Sequence, residues 1–457
     1  MKVLLIGANV ASTPYYVYPL GIGMIATALK KAGHLVTQFD FLRNDMSLEA
    51  LDNELRSFEP DIIGISMRNI DNVNLMNEQR YIDAVKDIVK DIRDVTNSPV
   101  VLGGSAFSIM PETILSEVGA DYGIIGEGES LMVGLVNNAA LGKLPEKGCI
   151  RSSNYMDGED IPAACYDPDI MRFYLKSGSI ASLQTKRGCT HKCIYCSYPV
   201  LEGSAIRPRN PGSVVDDIEI LINDHNAKYI FFTDSVFNDD EESYLEVVTE
   251  MKKRNVYIPW TAFFKPEGLK DKHVELMKET GLKGVEIGAD ASTDTTLTRL
   301  GKRFRFKDIV ACNDLFVRHG IATAHFYMFG CPGETKETVI QGLENIKNLN
   351  KTVSFVFMGI RILPNTVLHS IAIREGIISP ENTLLESVYY IAPGLEKEWL
   401  KKTLTEGFAG IRHCVFPPDA MDESLRFLHK LGYSGSLWDM LIPADKKPGR
   451  QRAHGTN

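Results

Sequence analysis

Residues 179–196 read SIASLQTKRGCTHKCIYC: a short run with strand composition, broken at Gly188 and followed at once by three closely spaced cysteines. A strand that runs directly into a chemically loaded loop is typical of parallel α/β architecture, where reactive groups collect at the C-terminal ends of the strands. Downstream, five more runs have the same character: KYIFFTDSVF (228–237), YIPWTAFF (257–264), GVEIGAD (284–290), IATAHFYMF (321–329) and TVSFVFMGIRI (352–362). Helix-length segments of mixed polarity separate them. Six βα units predict a partial (β/α)6 barrel over 179–379, short of the eight units of a closed one.

Upstream of 179 the rhythm is lost. The acidic, proline-containing stretch MDGEDIPAACYDPD (156–169) reads as part of a linker over 149–178. Before it, a second alternation covers 1–148. Its strands are KVLLIG (2–7), LVTQFDF (35–41), DIIGISM (61–67), PVVLGG (99–104) and YGIIGEGE (122–129). Helices are expected over 20–33, 47–58, about 76–95, after Pro111 and from Ser130, so this α/β region predicts a doubly wound, flavodoxin-like parallel sheet. Residues 380–457 read as a small, mostly helical region ending in a disordered polar tail, ADKKPGRQRAHGTN (444–457).

Fifty Lys and Arg against fifty-nine Asp and Glu give a formal charge of -9, which offers no basic field for nucleic acid. No apolar stretch approaches the roughly 18 residues of a membrane-spanning helix. The N-terminus lacks the features of a cleaved leader, so a cytoplasmic protein is expected. Eight cysteines in 457 residues are too few for a disulfide scaffold, and three of them crowd together. In a reducing compartment that crowding points to metal or redox chemistry.

Cys189, Cys193 and Cys196 have the spacing C-x3-C-x2-C. Three thiolates on one tight loop can bind three corners of a cubane cluster and leave the fourth iron open to a substrate or cosubstrate. A zinc site completed by His191 is the alternative, although zinc ligands usually come as two separated halves and no second half lies nearby.

The C-x3-C-x2-C loop, with Tyr195 just before its last cysteine, resembles the signature of radical S-adenosylmethionine enzymes. The resemblance implies a 4Fe-4S cluster on Cys189, Cys193 and Cys196, with S-adenosylmethionine on the open iron cleaved to a 5'-deoxyadenosyl radical. Further motifs match in chain order. They imply S-adenosylmethionine contacts from Tyr195, Ser197, Asp234 in FFTDSVF, Asp290 in GVEIGAD, Lys302, and Pro332 and Gly333 in MFGCPGET. Many members carry Glu-Ser where this chain has Asp290-Ala291. Cys331 is a candidate radical or acid–base group, with simple packing as the other reading.

In an open α/β sheet the ligand crevice lies beyond the carboxyl ends of the strands. There this chain places NVASTPYYVYPLGIG (9–23), Ser66-Met67-Arg68-Asn69, Gly103-Gly104-Ser105 and Gly126-Glu127-Gly128-Glu129. No GxGxxG or P-loop is present, which disfavours a dinucleotide or nucleoside triphosphate. The arrangement resembles the cobalamin-binding domain that precedes the radical module in one class of these enzymes. It implies cobalamin contacts from Tyr18, Pro19, Leu20 and Gly21 of the first of these loops and from the named residues of the other three. The D-x-H-x-x-G motif that supplies a cobalt-ligating histidine in another cobalamin class is absent from this region. Arg68 reads either as a propionamide or surface contact, or as a group on the lower corrin face, where a guanidinium cannot ligate cobalt and would hinder axial ligation.

The two resemblances together imply a cobalamin-dependent radical S-adenosylmethionine methyltransferase. It would methylate an unactivated carbon, or a phosphinate phosphorus, of a biosynthetic intermediate through methylcobalamin and the adenosyl radical. A small molecule or peptide is expected as substrate and a flavodoxin or ferredoxin as electron donor, with no nucleic acid. Rearrangement, ring contraction or cyclisation without methyl transfer is the alternative, and a corrinoid or redox sensor is a reading from another class. Methylthiolation would need a second cluster, yet residues 1–148 contain no cysteine. Tyr389, Tyr390, Trp399, His413 and Trp438 are candidates for the substrate lining.

Overall fold

The computed structural model describes residues 1–442 except 14 and 179; the expected disordered tail lies outside the described residues. The first unit is a six-stranded, wholly parallel sheet. Its strands are β1 (Lys2–Gly7), β2 (Leu35–Asp40), β3 (Ile62–Ser66), β4 (Val100–Gly103), β5 (Tyr122–Ile125) and β6 (Gly148–Arg151), in the order β2-β1-β3-β4-β5-β6. The chain reverses direction of progress between β1 and β3, and that switch point is where a doubly wound sheet opens a crevice. The central strands are continuous apolar runs because helices cover both faces. Those helices are α1 (Leu20–Lys31), α2 (Leu48–Phe58), α3 (Ile82–Val95), α4 (Ser105–Ile109), α5 (Pro111–Val118) and α6 (Glu129–Ala140).

Helix ends follow local chemistry. Ser47 accepts from Ala50 N and caps α2, and Glu59 closes it in the left-handed region. α3 begins six residues later than the apolar period implies. Residues 76–81 are held in a loop instead: Asn74 Oδ1 accepts from Met76 N at 3.1 Å and Asn72 Oδ1 from Gln79 N at 3.0 Å. Such side-chain turns offer the backbone an alternative to helix.

The stretch read as a linker is built into the fold. Its start forms edge strand β6, and α7 (Pro168–Gly178) follows. Between them, Thr27 Oγ1 donates to Ala163 O at 2.7 Å, and Tyr174 of α7 donates to Asp40 at 3.0 Å. β6 escapes a sequence reading because four residues at a sheet edge, three half-buried and one exposed, carry little apolar pattern.

The second unit is a seven-stranded parallel sheet. Six strands follow the expected order: β7 (Ala181–Leu183), β8 (Ile230–Phe232), β9 (Trp260–Phe264), β10 (Leu282–Asp290), β11 (Ala322–Phe329) and β12 (Thr352–Met358). A seventh, β13 (Cys414–Val415), comes from the C-terminal region and extends the sheet beyond β12. The outer layer contains α8 (Pro211–Asn223), α9 (Ser243–Lys253), α10 (Asp271–Glu279), α11 (Phe306–Arg318) and α12 (Lys336–Lys347). Outward side chains such as Ile230, Phe232, Trp260 and Phe264 pack under these helices. In the C-terminal region lie α13 (Lys397–Phe408) and α14 (Asp422–Lys430). No helix among the described residues is long and apolar enough to cross a membrane.

Two buried ion clusters join the units. Arg361 donates through Nε to Asp71 at 2.7 Å and through Nη2 to Leu384 O at 2.7 Å. Arg187, at the end of the strand-like run before Gly188, binds Glu129 at the start of α6 at 2.5 Å and Glu127 in the loop after β5 at 3.1 Å.

Candidate functional site

A cavity of about 560 Å³ opens at the C-terminal edge of the first sheet and continues into the barrel lumen. On one side its wall is made of Gly103, Gly104 and Gly126; on the other, of Ser182, Phe231 and Phe263. The glycines make it possible. Gly104 has φ +97 and a Cβ there would stand 2.5 Å from Met67 O, while at Gly21 a Cβ would meet nothing within 4 Å. Bulkier residues would either not fold or would fill the crevice.

Every residue expected to touch cobalamin lines this cavity except Met67, which is 2 % exposed and packs in the core on the other side of the strand end. That correction follows from strand alternation: Ser66 and Arg68 face the crevice and Met67 between them faces away. Glu127 and Glu129 line the cavity, but their carboxylates are engaged by Arg187 and, for Glu127, by Arg207 at 2.8 Å. The Glu127 carboxyl is held below its usual range because the gain from Arg207, Met156 N and Arg187 outweighs the cost of burial.

Arg68 is enclosed rather than on the surface. Burial lowers its pKa, the neighbouring hydroxyls of Tyr174, Tyr15, Tyr198 and Tyr81 oppose that shift, and its Nε has no partner. Asn9 Nδ2 is also buried without a partner. Orphan donors on the wall of a glycine-rimmed cavity fit a ligand bearing many amide oxygens, as a corrinoid does.

The cysteine loop leaves Gly188, whose φ is +92 and where a Cβ would lie 1.9 Å from Ala205 O, so only glycine allows the turn. Its root is fixed by Glu202, which accepts from Gly188 N at 3.2 Å and Gln184 Nε2 at 3.1 Å. All three thiols are free, and Cys196 is pushed up to about 12 chiefly by burial. Among the described residues no three potential ligands converge on one point. The donor set nevertheless fits a cubane cluster: three thiols, no carboxylate between them, and the Lys302 ammonium beside Cys193. His191 is depressed to about 4 by burial and by Lys265, Arg303 and Lys302. An imidazole ringed by cations makes a poor fourth zinc ligand.

Tyr195, Asp290 and Lys302 come together. Asp290, in the left-handed region at φ 62, accepts from both the Tyr195 hydroxyl and the Lys302 ammonium, which stacks 5.7 Å from the Tyr195 and Phe304 rings. Ser197 precedes the short helix Tyr198–Leu201 without a capping bond from its side chain, and Gly333 lies at φ +73 in the loop after β11. Glu334 accepts from Cys331 N at 2.9 Å and from Gly330 N, which locks that loop.

One expected contact is corrected, and of the two readings of Cys331 packing is the one that fits. Asp234 is 1 % exposed and both its oxygens are used, by Thr185 N at 2.7 Å and by the Thr185 hydroxyl. It straps the root of the cysteine loop instead of offering an oxygen to a ligand. Cys331 is 0 % exposed, its thiol contacts Met328 O at 3.2 Å, and burial pushes it far up, so it is a packing thiol.

None of the C-terminal candidates Tyr389, Tyr390, Trp399, His413 and Trp438 lines the cavity: Trp438 is buried and donates to Glu286 of β10, Tyr390 donates to Glu375, and Trp399 stacks under Lys336. His325 points outward to Asn313 at 3.1 Å. Sequence reading missed Arg187, Glu202, Tyr15, Phe263 and Glu286. The single readable signal was a charged residue inside an otherwise apolar strand, as in GVEIGAD.

Comparison with known proteins agrees with this geometry. Residues 6–136 match the B12 binding domain and residues 183–360 the Radical SAM superfamily. The chain is 25% identical over 440 residues to tryptophan 2-C-methyltransferase of Streptomyces laurentii, covering 79% of this chain and 73% of that one. It is 23% identical to cytidylyl-2-hydroxyethylphosphonate methyltransferase of Streptomyces wedmorensis, covering 85% and 84%. The radical S-adenosylmethionine methyltransferase TsrM from Kitasatospora setae, solved with cobalamin and a [4Fe-4S] cluster, shares the fold at TM-score 0.83 and 22% identity, over 96% of this chain and 97% of that one. With its glycine-rimmed crevice opening into a barrel that carries the cysteine loop, the chain belongs to the radical S-adenosylmethionine enzymes with a cobalamin-binding domain.

Proposed function

We propose that the protein methylates an unactivated carbon, or a phosphinate phosphorus, of a small-molecule biosynthetic intermediate. The observation that carries this reading is the continuity of the cavity: the first-sheet loops and the barrel lumen share one space, with Arg187, Tyr198 and Glu202 on its wall to either side of the cysteine loop. When bound, the cluster with S-adenosylmethionine supplies a hydrogen-abstracting radical and the corrinoid supplies the methyl group. The chain does the rest. Cys189, Cys193 and Cys196 hold the cluster, the Tyr195–Asp290–Lys302 network and the Pro332–Gly333 loop seat the cosubstrate, and the aromatic lumen wall excludes water from a reactive intermediate. Splitting the work between two cofactors suits a carbon with no acidic proton.

A low-potential flavodoxin or ferredoxin is the fitting electron donor. Eight free cysteines suit a reducing compartment such as the cytoplasm. Reconstitution with iron, sulfide and hydroxocobalamin under anaerobic conditions is expected to retain about one corrinoid per chain after desalting, as one crevice of this kind holds one ligand. Product and S-adenosylhomocysteine should then appear in equal amounts. Corrinoid near zero with iron retained would refute the methyltransferase reading. Product without S-adenosylhomocysteine would favour a rearrangement or cyclisation.

Arg68 lines the crevice and would lie against the lower face of a bound corrinoid. Its side chain cannot ligate cobalt and there would hinder another ligand, so the cobalt(II) form would show no axial nitrogen or water signature in electron paramagnetic resonance. Arg68→Ala should gain the signature of an axial water. An axial nitrogen or water signal in the unaltered protein would sink this assignment.

A further inference from the structure

The barrel lumen is walled by a chain of aromatic rings. Tyr15 meets Phe231 at 6.5 Å, Phe231 meets Phe263 at 5.1 Å, Phe263 meets Phe326 at 6.4 Å and Phe326 meets Phe355 at 5.5 Å. Phe263 stays 37% exposed although it belongs to a central strand, so the space it faces is open. Within this belt stands one carboxyl. Glu286 is paired in register with Phe263 on β9 and with Ala324 on β11, and it therefore projects from the same inner face. It is 4 % exposed and its one described hydrogen bond comes from Trp438 Nε1 at 3.1 Å. Trp438 arrives from the C-terminal region and packs on Gly284, where a Cβ would stand 3.0 Å from the indole. The titratable groups facing Glu286 are Tyr15 and Tyr229, both kept neutral by burial, while Asp439 beside Trp438 acts on Tyr229. Among the described residues no cation compensates the carboxyl, its shift coming from burial against the one indole donor.

A buried carboxyl with one neutral partner, set among ring faces, is half of an ion pair. Aromatic faces and a carboxylate both attract a positive charge. We propose that Glu286 anchors the substrate by binding an organic ammonium carried on a flat apolar frame, which rests on the reading of the cavity lined by its neighbour Phe263 as the substrate pocket. The site then selects amine-bearing carbon substrates and rejects anionic ones such as a phosphinate.

The test uses the holoenzyme and two probes of equal size and opposite charge, benzylammonium and benzoate, in equilibrium dialysis. At about pH 8 the unaltered protein should bind benzylammonium at least about tenfold more tightly than benzoate, the scale of one charge-assisted contact. Glu286→Gln should bring the two within about twofold. Burial raises the Glu286 carboxyl to about 7, so the preference should fade as pH drops through that value. Trp438→Phe removes the donor that favours the ionised carboxyl, so the fade should move to higher pH. A preference under about threefold in the unaltered protein, or one that survives in Glu286→Gln, overturns the proposal. The readout needs no turnover. Methyl transfer absent with the preference intact refutes the methyltransferase reading alone, and the converse result refutes this inference alone.

Discussion

Single replacement of Cys189, Cys193 or Cys196 by alanine is expected to abolish S-adenosylmethionine cleavage and methyl transfer together, to below about 1% of the unaltered protein, because two thiolates cannot hold a cubane cluster. Each variant should fold. The thiols are small, none is bonded to another, and Cys193 and Cys196 are only partly buried. Iron content should drop from about four per chain to near zero, while corrinoid content should stay at about one, since the crevice is built from the first sheet. A variant that keeps both its iron and its cleavage activity would place the cluster elsewhere. Replacement of Cys331, by contrast, should leave iron, corrinoid and cleavage intact, because its thiol is packed and spoken for.

Arg187→Ala should be the most destabilising single change at the join between the two units. The guanidinium is 8% exposed and holds Glu129 and Glu127, whose side chains are 5% and 10% exposed. Removing it leaves Glu129 without its cation and Glu127 with Arg207 alone. Breaking a buried ion pair from one side costs about 3–5 kcal/mol, since the remaining charge stays out of water. Thermal unfolding should therefore shift down by many degrees. Arg187→Lys should recover part of the loss but not all, because a single ammonium cannot serve two carboxylates in the fork geometry of a guanidinium. The same arginine sits one residue from Gly188, at the root of the cysteine loop. Corrinoid retention should accordingly fall in both variants even where the protein stays folded. Arg187→Ala with unchanged unfolding temperature and full corrinoid content would show that the cluster contributes nothing to the join.

Much of the architecture was legible because it is periodic. Parallel strands covered on both faces are apolar runs, and the helices between them carry a 3.6-residue stripe, so KVLLIG, DIIGISM and the six barrel runs announce themselves. What escaped was short or lay at an edge: β6 and β13 have four and two residues, too few for any pattern. The start of α3 escaped for another reason, since asparagine side chains of a polar turn outcompeted the helix.

The cysteine spacing and the glycine pairs were equally legible, because their chemistry is local: ligands on one loop, and backbone that must approach a ligand closely. Asp234 and Met67 show the limit of that reasoning. Both sit at strand ends where ligand contacts gather, yet one is consumed by Thr185 and the other turns to the core. Position along a strand is written in the chain, but what a side chain meets across 50 residues is not.

The sequence by itself determined two parallel α/β units, the three thiols and the glycine loops, because periodicity, ligand spacing and backbone freedom are properties of neighbouring residues. Only the tertiary structure decided that the crevice and the lumen are one cavity, that Arg187 and Arg361 clamp the units, and that Glu286 stands with Trp438 among aromatic rings. Those relations join residues up to 290 positions apart. They exist only once burial has fixed which charges and rings are removed from water together, and no local pattern encodes that.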